Sequence, residues 1–243
     1  MLLRGAALAA ALRHGLAAVT SWDRTNHRGT PLSLLAGPAL ALASPAAPAE
    51  LVAGVGAGAL GLYDDVAGHR ESERSAKGLR GHAAALREGR VTAGAVKVAG
   101  LGAVGVLAAA GLPRRTPADV LIGGAVVAGT ANLLNLLDLR PGRALKVAAL
   151  GGALLGQPQV VGASLALLPE DLRERTMLGD TGANAVGAVL GVGLLRRVPS
   201  TGGRAAVLAV LVGLTLASER VSFSAVIDRT PALRWVDRLG RLP

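Results

Sequence analysis

The stretch Asn132-Leu-Leu-Asn-Leu-Leu-Asp138, continued by Leu139-Arg-Pro-Gly-Arg143, decides how the chain is read. It closes an apolar run that begins near Val120. Asn132, Asn135 and Asp138 are spaced i, i+3, i+6, so a helix sets them on one broad face. An acidic residue at the centre of a membrane helix costs about 2.5–3.5 kcal/mol on insertion scales, and polar groups in such a setting are functional candidates by default. Two further acidic sites share that setting. Asp64-Asp65 ends the apolar run 51–63, and Asp180 stands in Met177-Leu-Gly-Asp-Thr-Gly-Ala183, just before the run 183–195. The expectation is that the three sites meet at one membrane face and hold a metal and a diphosphate.

Composition supports a membrane setting. Of 243 residues 51% are hydrophobic and 17% charged, with a mean hydropathy of +0.47. The apolar residues come in blocks divided by charged loops, as in a polytopic protein whose backbone polar groups must be satisfied within each segment. The expected fold is therefore all-α: one integral membrane domain over 1–243, a helical bundle of eight to nine membrane segments with cytoplasmic loops. Small residues abound and suit close helix packing; the glycines at 54–61 and 187–193 read as packing surfaces. Cysteine is absent, which excludes disulfides and thiolate metal sites. The net charge of +10 sits in short loops, without a basic stripe interleaved with aromatics, so nucleic acid is not an expected partner.

The chain alternates accordingly. Residues 1–20 read as a weak first membrane segment or an interfacial helix, broken by Arg4, Arg13 and His14. A polar loop at 21–30 precedes an apolar arm at 31–47, in which Pro38 and Pro45 mark kinks or an early end. The run 51–63 leads into the long basic loop 64–90, and 93–112 with 118–134 forms the next hairpin. The stretch 144–168 fits either one span or two short arms turning at Gln157-Pro-Gln159; two arms keep Asp180 on the side of Asp138. A polar loop at 170–182 and a last hairpin, 183–195 with 205–217, lead to a basic cytoplasmic tail at 218–243. In that tail Val221, Phe223, Ile227, Leu233 and Trp235 alternate with charge, the pattern of an interfacial segment. With this topology nineteen Lys and Arg lie on the face of the acidic sites and five on the other. That asymmetry places the sites in the cytoplasm, at the inner or plasma membrane.

Asp64, Asp65, Asp138 and Asp180 together suit Mg²⁺, which takes oxygen ligands, typically one or two carboxylates plus substrate phosphates. A metal bridging a diphosphate neutralises charge on the leaving group, and a neighbouring carboxylate can orient or deprotonate an attacking phosphate. Read one at a time, each aspartate is equally well an interfacial cap or a topology marker. His69 and His82, in the long loop, read as solvated side chains.

Gly61-Leu-Tyr-Asp-Asp65, Lys77-Gly-Leu79, the Asn132–Asp138 stretch and Met177-Leu-Gly-Asp-Thr-Gly-Ala183 resemble, in order, the motifs of the polyprenyl-phosphate N-acetylhexosamine-1-phosphate transferases, the superfamily of phospho-N-acetylmuramoyl-pentapeptide transferase. Arg24-Thr-Asn-His-Arg-Gly29 with Pro31 also looks like that family's first cytoplasmic loop, and the resemblance spans about residues 22–240. It implies that a polyprenyl phosphate attacks the β-phosphate of a UDP-N-acetyl-amino sugar, giving polyprenyl-diphospho-sugar and UMP in cell-envelope glycan synthesis. By motif match Asp64, Asp65 and Asp138 are catalytic. Asp180, with Asp65, is the magnesium site. Lys77, Asn132, Asn135, Thr181 and Gly182 contact substrate, the last two at a helix start where backbone N–H groups favour an anion. A homodimer is compatible with the resemblance.

The chain also departs from the family. The usual second aspartate after the Asn-rich segment is replaced by Pro141, Met177 stands where an aromatic is common, and the late histidine cluster is missing. An inactive relative that binds lipid or a partner is one rival reading. A transporter with cation-binding carboxylates is another, although its expected internal repeats and mid-span helix breaks are not evident.

Overall fold

The computed structural model describes residues 1–16, 23–25, 29–67, 85, 87–89, 92–113 and 116–242. These are mostly α-helical. Helix α1 (Leu2–Leu16) is followed by a two-stranded antiparallel hairpin, β1 (Asp23–Thr25) with β2 (Pro31–Ser33). Then come α2 (Ala36–Ala43), α3 (Pro48–Ala67), α4 (Ala93–Ala110), α5 (Pro117–Leu137), α6 (Arg143–Leu155), α7 (Pro158–Leu172), α8 (Gly179–Arg197), α9 (Thr201–Ser218), α10 (Phe223–Arg229) and α11 (Pro231–Arg238).

Helix starts follow local chemistry. Thr116 and Asp119 form a capping box at α5, with Pro117 in the first turn, while Thr92 and Ser200 cap α4 and α9 through their hydroxyls. Between α6 and α7 the chain turns at Gly156, whose φ of 71° only glycine adopts freely. Residues 144–168 are thus two arms and not one span.

Helix α8 is the centre of the bundle: from Gly179 to Leu195 every described side chain except that of Asp180 and Leu194 is buried. Its composition permits this, because Ala and Gly let neighbouring backbones approach closely. Gly54, Gly58 and Gly61, on one side of α3, lie against Val189, Ala185 and the Asp180–Thr181 backbone. One apolar core gathers Leu40, Leu134, Leu145, Val160, Leu167, Leu178, Val186 and Val189; a second joins Leu101, Val126, Val127, Val192, Leu195 and Leu211.

The two ends of the bundle differ in kind. At one end, buried polar clusters tie the hairpins together. Glu50 accepts from Ala46 N at 2.8 Å, Gln157 Nε2 at 3.2 Å, Gln159 Nε2 at 3.3 Å and Arg196 Nη1 at 2.5 Å. Arg204, 2% exposed, donates to Asp119 Oδ1 at 2.7 Å and to the carbonyls of Val198 and Pro199. Removing one partner of a buried pair strands the other charge, which costs about 3–5 kcal/mol. Arg204→Met is therefore expected to lower the thermal unfolding midpoint of detergent-purified protein well below that of Arg204→Lys, which keeps a cation beside Asp119. The other end carries all three acidic sites.

Among the described residues two helices, α5 and α9, are long and apolar enough to cross a membrane. The apolar arm expected at 31–47 is different: β2 occupies its first residues and α2 is only eight residues long. At 1.5 Å per residue that is about 12 Å, against a hydrocarbon core of about 30 Å. Pro45 ends this arm early. The polar loops expected at 64–90 and 170–182 also begin and end elsewhere. Helix α3 runs on to Ala67, α7 to Leu172, and α8 starts at Gly179, so both acidic motifs lie on helix termini. The tail is two short helices docked on the α6 segment. Arg143 Nε and Nη2 donate to Asp237 at 2.6 and 3.2 Å, and Arg140 Nη2 donates to Asp228 at 2.8 Å.

Candidate functional site

Helix α3 ends where α8 begins, and the two termini are joined by Asp65. Its Oδ1 accepts the backbone N–H of Asp180 at 3.1 Å. Its Oδ2 accepts the Thr181 N–H at 2.9 Å and the Thr181 hydroxyl at 2.7 Å. A carboxylate at a helix N-terminus satisfies donors that have no partner within the helix and opposes the positive end of the dipole. Here the cap comes from another helix, 115 residues earlier in the chain. Gly61, one turn before Asp65, makes the close approach feasible: a side chain there would collide with the Asp180 carbonyl. From the other side, the Arg24 guanidinium donates to the backbone carbonyl of Asp65.

The N–H groups of Asp180 and Thr181 are therefore engaged by Asp65 instead of standing open to a substrate anion. Gly182 is buried, donates its N–H to the Leu178 carbonyl at 3.2 Å, and packs against Gly37. These two residues, expected to contact substrate, hold α3, α2 and α8 together.

Asp64 takes the other role in the tandem pair. Successive residues on a helix point about 100° apart, so when Asp65 turns to α8, Asp64 faces α4. There Lys97 Nζ donates to Asp64 Oδ2 at 3.1 Å and to Asp180 Oδ2 at 2.5 Å. One cation thus sits between carboxylates from α3 and α8, each with side chains about a quarter exposed or less. The expected metal pair was Asp180 with Asp65; the pair that converges on a cation is Asp180 with Asp64. Among the described residues no group of three or more carboxylate or histidine ligands is assembled. Two carboxylates are nevertheless a sufficient protein contribution for Mg²⁺ when substrate phosphates and water complete its shell. The ammonium of Lys97 marks where positive charge is stabilised.

Sequence reading counted Lys97 only as a topology charge. The signal was present: it is the one charged residue in α4, and an ionisable group within an apolar helix is a functional candidate by itself.

The Asn132–Asp138 face divides between two cavities. Residues six apart on a helix are about 120° apart around its axis, enough to separate them. Asn132 donates to Thr215 Oγ1 at 3.1 Å and lines a cavity of about 340 Å³ between α4, α5 and α9. Asp64 and Lys97 lie in the same cavity, whose remaining wall includes Val98, Leu101, Ala128 and Leu136. Asp138, which caps α5, lines a second cavity of about 290 Å³ with Arg140, Asp171, Glu174 and Met177, closed in part by Thr25 and Leu32 of the hairpin. Its carboxyl is held well above the ordinary carboxylate range, first by burial and then by the negative charge of Asp171, Asp180 and Asp65; a backbone hydrogen bond from Gly179 offsets part of this. Asn135 lies half-buried between the two, one turn before Asp138. Asp171, missed in the sequence because it reads as loop, accepts the Gly142 N–H at 2.5 Å and so holds the turn that carries Asp138. Lys77, expected at a phosphate, lies outside the described residues.

Compared with known proteins, the chain matches no family model and no curated protein sequence.

Proposed function

We propose that this protein transfers a sugar-1-phosphate from a UDP-linked N-acetyl-amino sugar to a polyprenyl phosphate, releasing UMP, with Mg²⁺ and at the cytoplasmic face of the cell membrane. The observation that carries the reading is the meeting of Asp64 and Asp180 on the Lys97 ammonium, beside the Asp65-capped start of α8. The motif resemblance to the polyprenyl-phosphate transferases, in order along the chain, supports it independently of the geometry. On this reading the bundle is multi-pass, and α1 to α9 supply the eight to nine membrane segments; α1, α2, α6 and α7 are arms too short to cross alone.

The chemistry needs an acceptor phosphate, a diphosphate and positive charge in one place. The 340 Å³ cavity has apolar walls leading to Asp64, Lys97 and Asn132, which suits a lipid whose phosphate must reach a polar end. There Lys97 attracts the phosphate, and Asn132 offers an amide. An oxygen of the polyprenyl phosphate attacks the β-phosphorus, a new P–O–P bond forms, and the bond to UMP breaks, UMP leaving with the electron pair. With the Lys97 ammonium turned from them to the acceptor phosphate, Asp64 and Asp180 would hold Mg²⁺, which would supply positive charge to offset that on the departing UMP. Asp65 keeps Asp180 in register through the α8 cap. The acidic cavity at Asp138 suits groups that donate hydrogen bonds, such as sugar hydroxyls or a uracil N–H, better than phosphate.

The test uses purified protein, polyprenyl phosphate, Mg²⁺ and a panel of radiolabelled UDP-sugars. The expected result is Mg²⁺-dependent release of UMP with label passing to the lipid for at least one UDP-amino sugar. Inactivity across the panel favours a relative that binds lipid or a partner, and ion-coupled uptake into liposomes favours a transporter.

A further inference from the structure

The two short tail helices leave an apolar surface exposed among the described residues. Around α11, Trp235, Leu239, Val236 and Leu233 fall on one arc about 160° wide, at 100° per residue. They are 68%, 55%, 48% and 49% exposed. Asp237 lies outside that arc, is 5% exposed, and is gripped by Arg143 and by Arg241 Nη1 at 2.8 Å. Lys146 Nζ adds hydrogen bonds to the last carbonyls of α11, to Val236 at 3.0 Å and Asp237 at 2.9 Å. The tail is thus clamped by its polar side, and the clamp turns the apolar arc outward. The grip on Asp237 is firm: burial raises its pKa, but the hydrogen bond and charge of Arg143 outweigh this and hold it below the ordinary carboxylate value.

What covers such an arc is indicated by its surroundings. Helix α9, which is long and apolar enough to cross a membrane, ends at Ser218, four residues before α10 is capped by Ser222. On the proposed membrane placement the tail starts at a bilayer surface. Exposed Arg238 lies about 60° beyond Trp235, and exposed Arg234 stands on the polar face opposite the arc, at 100° per residue. An apolar arc with arginines on the remaining polar face is the pattern of a helix lying in the plane of an anionic leaflet, with rings and aliphatic chains at the headgroup–acyl boundary and long guanidinium side chains reaching back to the phosphates.

We infer that α10 and α11 form an interfacial foot, with Trp235, Leu239, Val236 and Leu233 buried in the cytoplasmic leaflet and Arg234 and Arg238 on anionic phospholipid headgroups. The same clamp connects the foot to the turn that carries Asp138, since Arg140 and Arg143 belong to that turn and hold Asp228 and Asp237. The inference shares the membrane placement of the proposed function and is independent of its chemistry.

Trp22 and Trp235 are the only tryptophans, so Trp22→Phe makes Trp235 a single reporter. The full chain carrying that substitution is placed in nanodiscs of neutral phosphatidylcholine, and in discs containing phosphatidylglycerol, each with and without lipid brominated near the headgroup end of its chains. Bromolipid is expected to quench Trp235 at least roughly twofold more in the anionic discs, with the excess removed by high salt and by Arg234→Gln/Arg238→Gln. Quenching that is absent in both discs, or equal in both, overturns the inference. So does an emission shift that follows protein concentration and not lipid, which would assign the arc to a protein partner.

Discussion

Asp180→Asn is expected to reduce UMP release by about 10²–10³-fold, the loss seen when a preorganised electrostatic group is removed from a reacting centre. The substitution keeps the size of the side chain. It also spares the backbone of Asp180, whose N–H is held by Asp65 and whose carbonyl accepts from Asn184 Nδ2 at 2.6 Å. The fold should therefore survive, and the unfolding midpoint should move little. What disappears is one of the two negative charges that face Lys97. Asp64→Asn removes the other and should act in the same direction. Because both carboxylates serve one cation, the double variant should lose less than the product of the two single losses. Lys97→Met tests the same centre from its positive side: activity should fall, and should do so through weakened acceptor binding if the ammonium holds the lipid phosphate. Steady-state rates across acceptor concentrations, together with a thermal scan of each variant, check all of this.

The second large effect is structural. Gly61→Val is expected to destabilise the bundle by more than the usual ~1–3 kcal/mol for an overpacked core and to abolish activity. The atoms in its way are the backbone carbonyl of Asp180 and the amide of Thr181, which cannot swing aside as a side chain could. To admit a Cβ, α3 must separate from α8, and the Asp65 cap is lost with the separation. Valine adds two more methyl groups to the conflict. Gly102→Ala, at a position with no neighbouring atom, serves as the control and should leave both the unfolding midpoint and the activity near the parent values.

Much of the site was legible because of where its charges stand. A carboxylate at the end of an apolar run is conspicuous, and Asp64-Asp65, Asp138 and Asp180 were each visible for that reason. The turn near Gln157-Pro158 followed only from keeping Asp180 on the side of Asp138, since length and hydropathy fitted one span equally well. The division of labour within the tandem pair was not legible. Asp64 and Asp65 are equivalent in sequence, and only the approach of α8 makes one a cap and the other a partner of Lys97. Lys97 itself was visible but was absorbed into a count of loop charges, because a count of charges ignores which of them lies within a helix. The grouping of Asn132 with Asp138 failed through helix geometry, since a 120° offset is enough to put neighbours in different cavities when helices pack on both sides. Arg140 and Arg143, on either side of Pro141, read only as charges on the cytoplasmic face. Their partners, Asp228 and Asp237, lie more than eighty residues away, and no local pattern announces a tail that folds back.

The claim on which the rest depends is that α3 and α8 together hold a divalent cation against a diphosphate. It is tested most directly by Mn²⁺, which substitutes for Mg²⁺ at oxygen sites and is visible by electron paramagnetic resonance. Purified protein is titrated with Mn²⁺ in the presence of a UDP-amino sugar, and the free-ion signal is followed. Saturable loss of that signal, at one ion per chain, is expected for the parent protein and for Glu170→Gln, whose carboxylate pairs with Arg173 and Arg175 and lines neither cavity, and should vanish in Asp180→Asn. Binding that is absent in the parent, or unchanged in Asp180→Asn, would contradict the account.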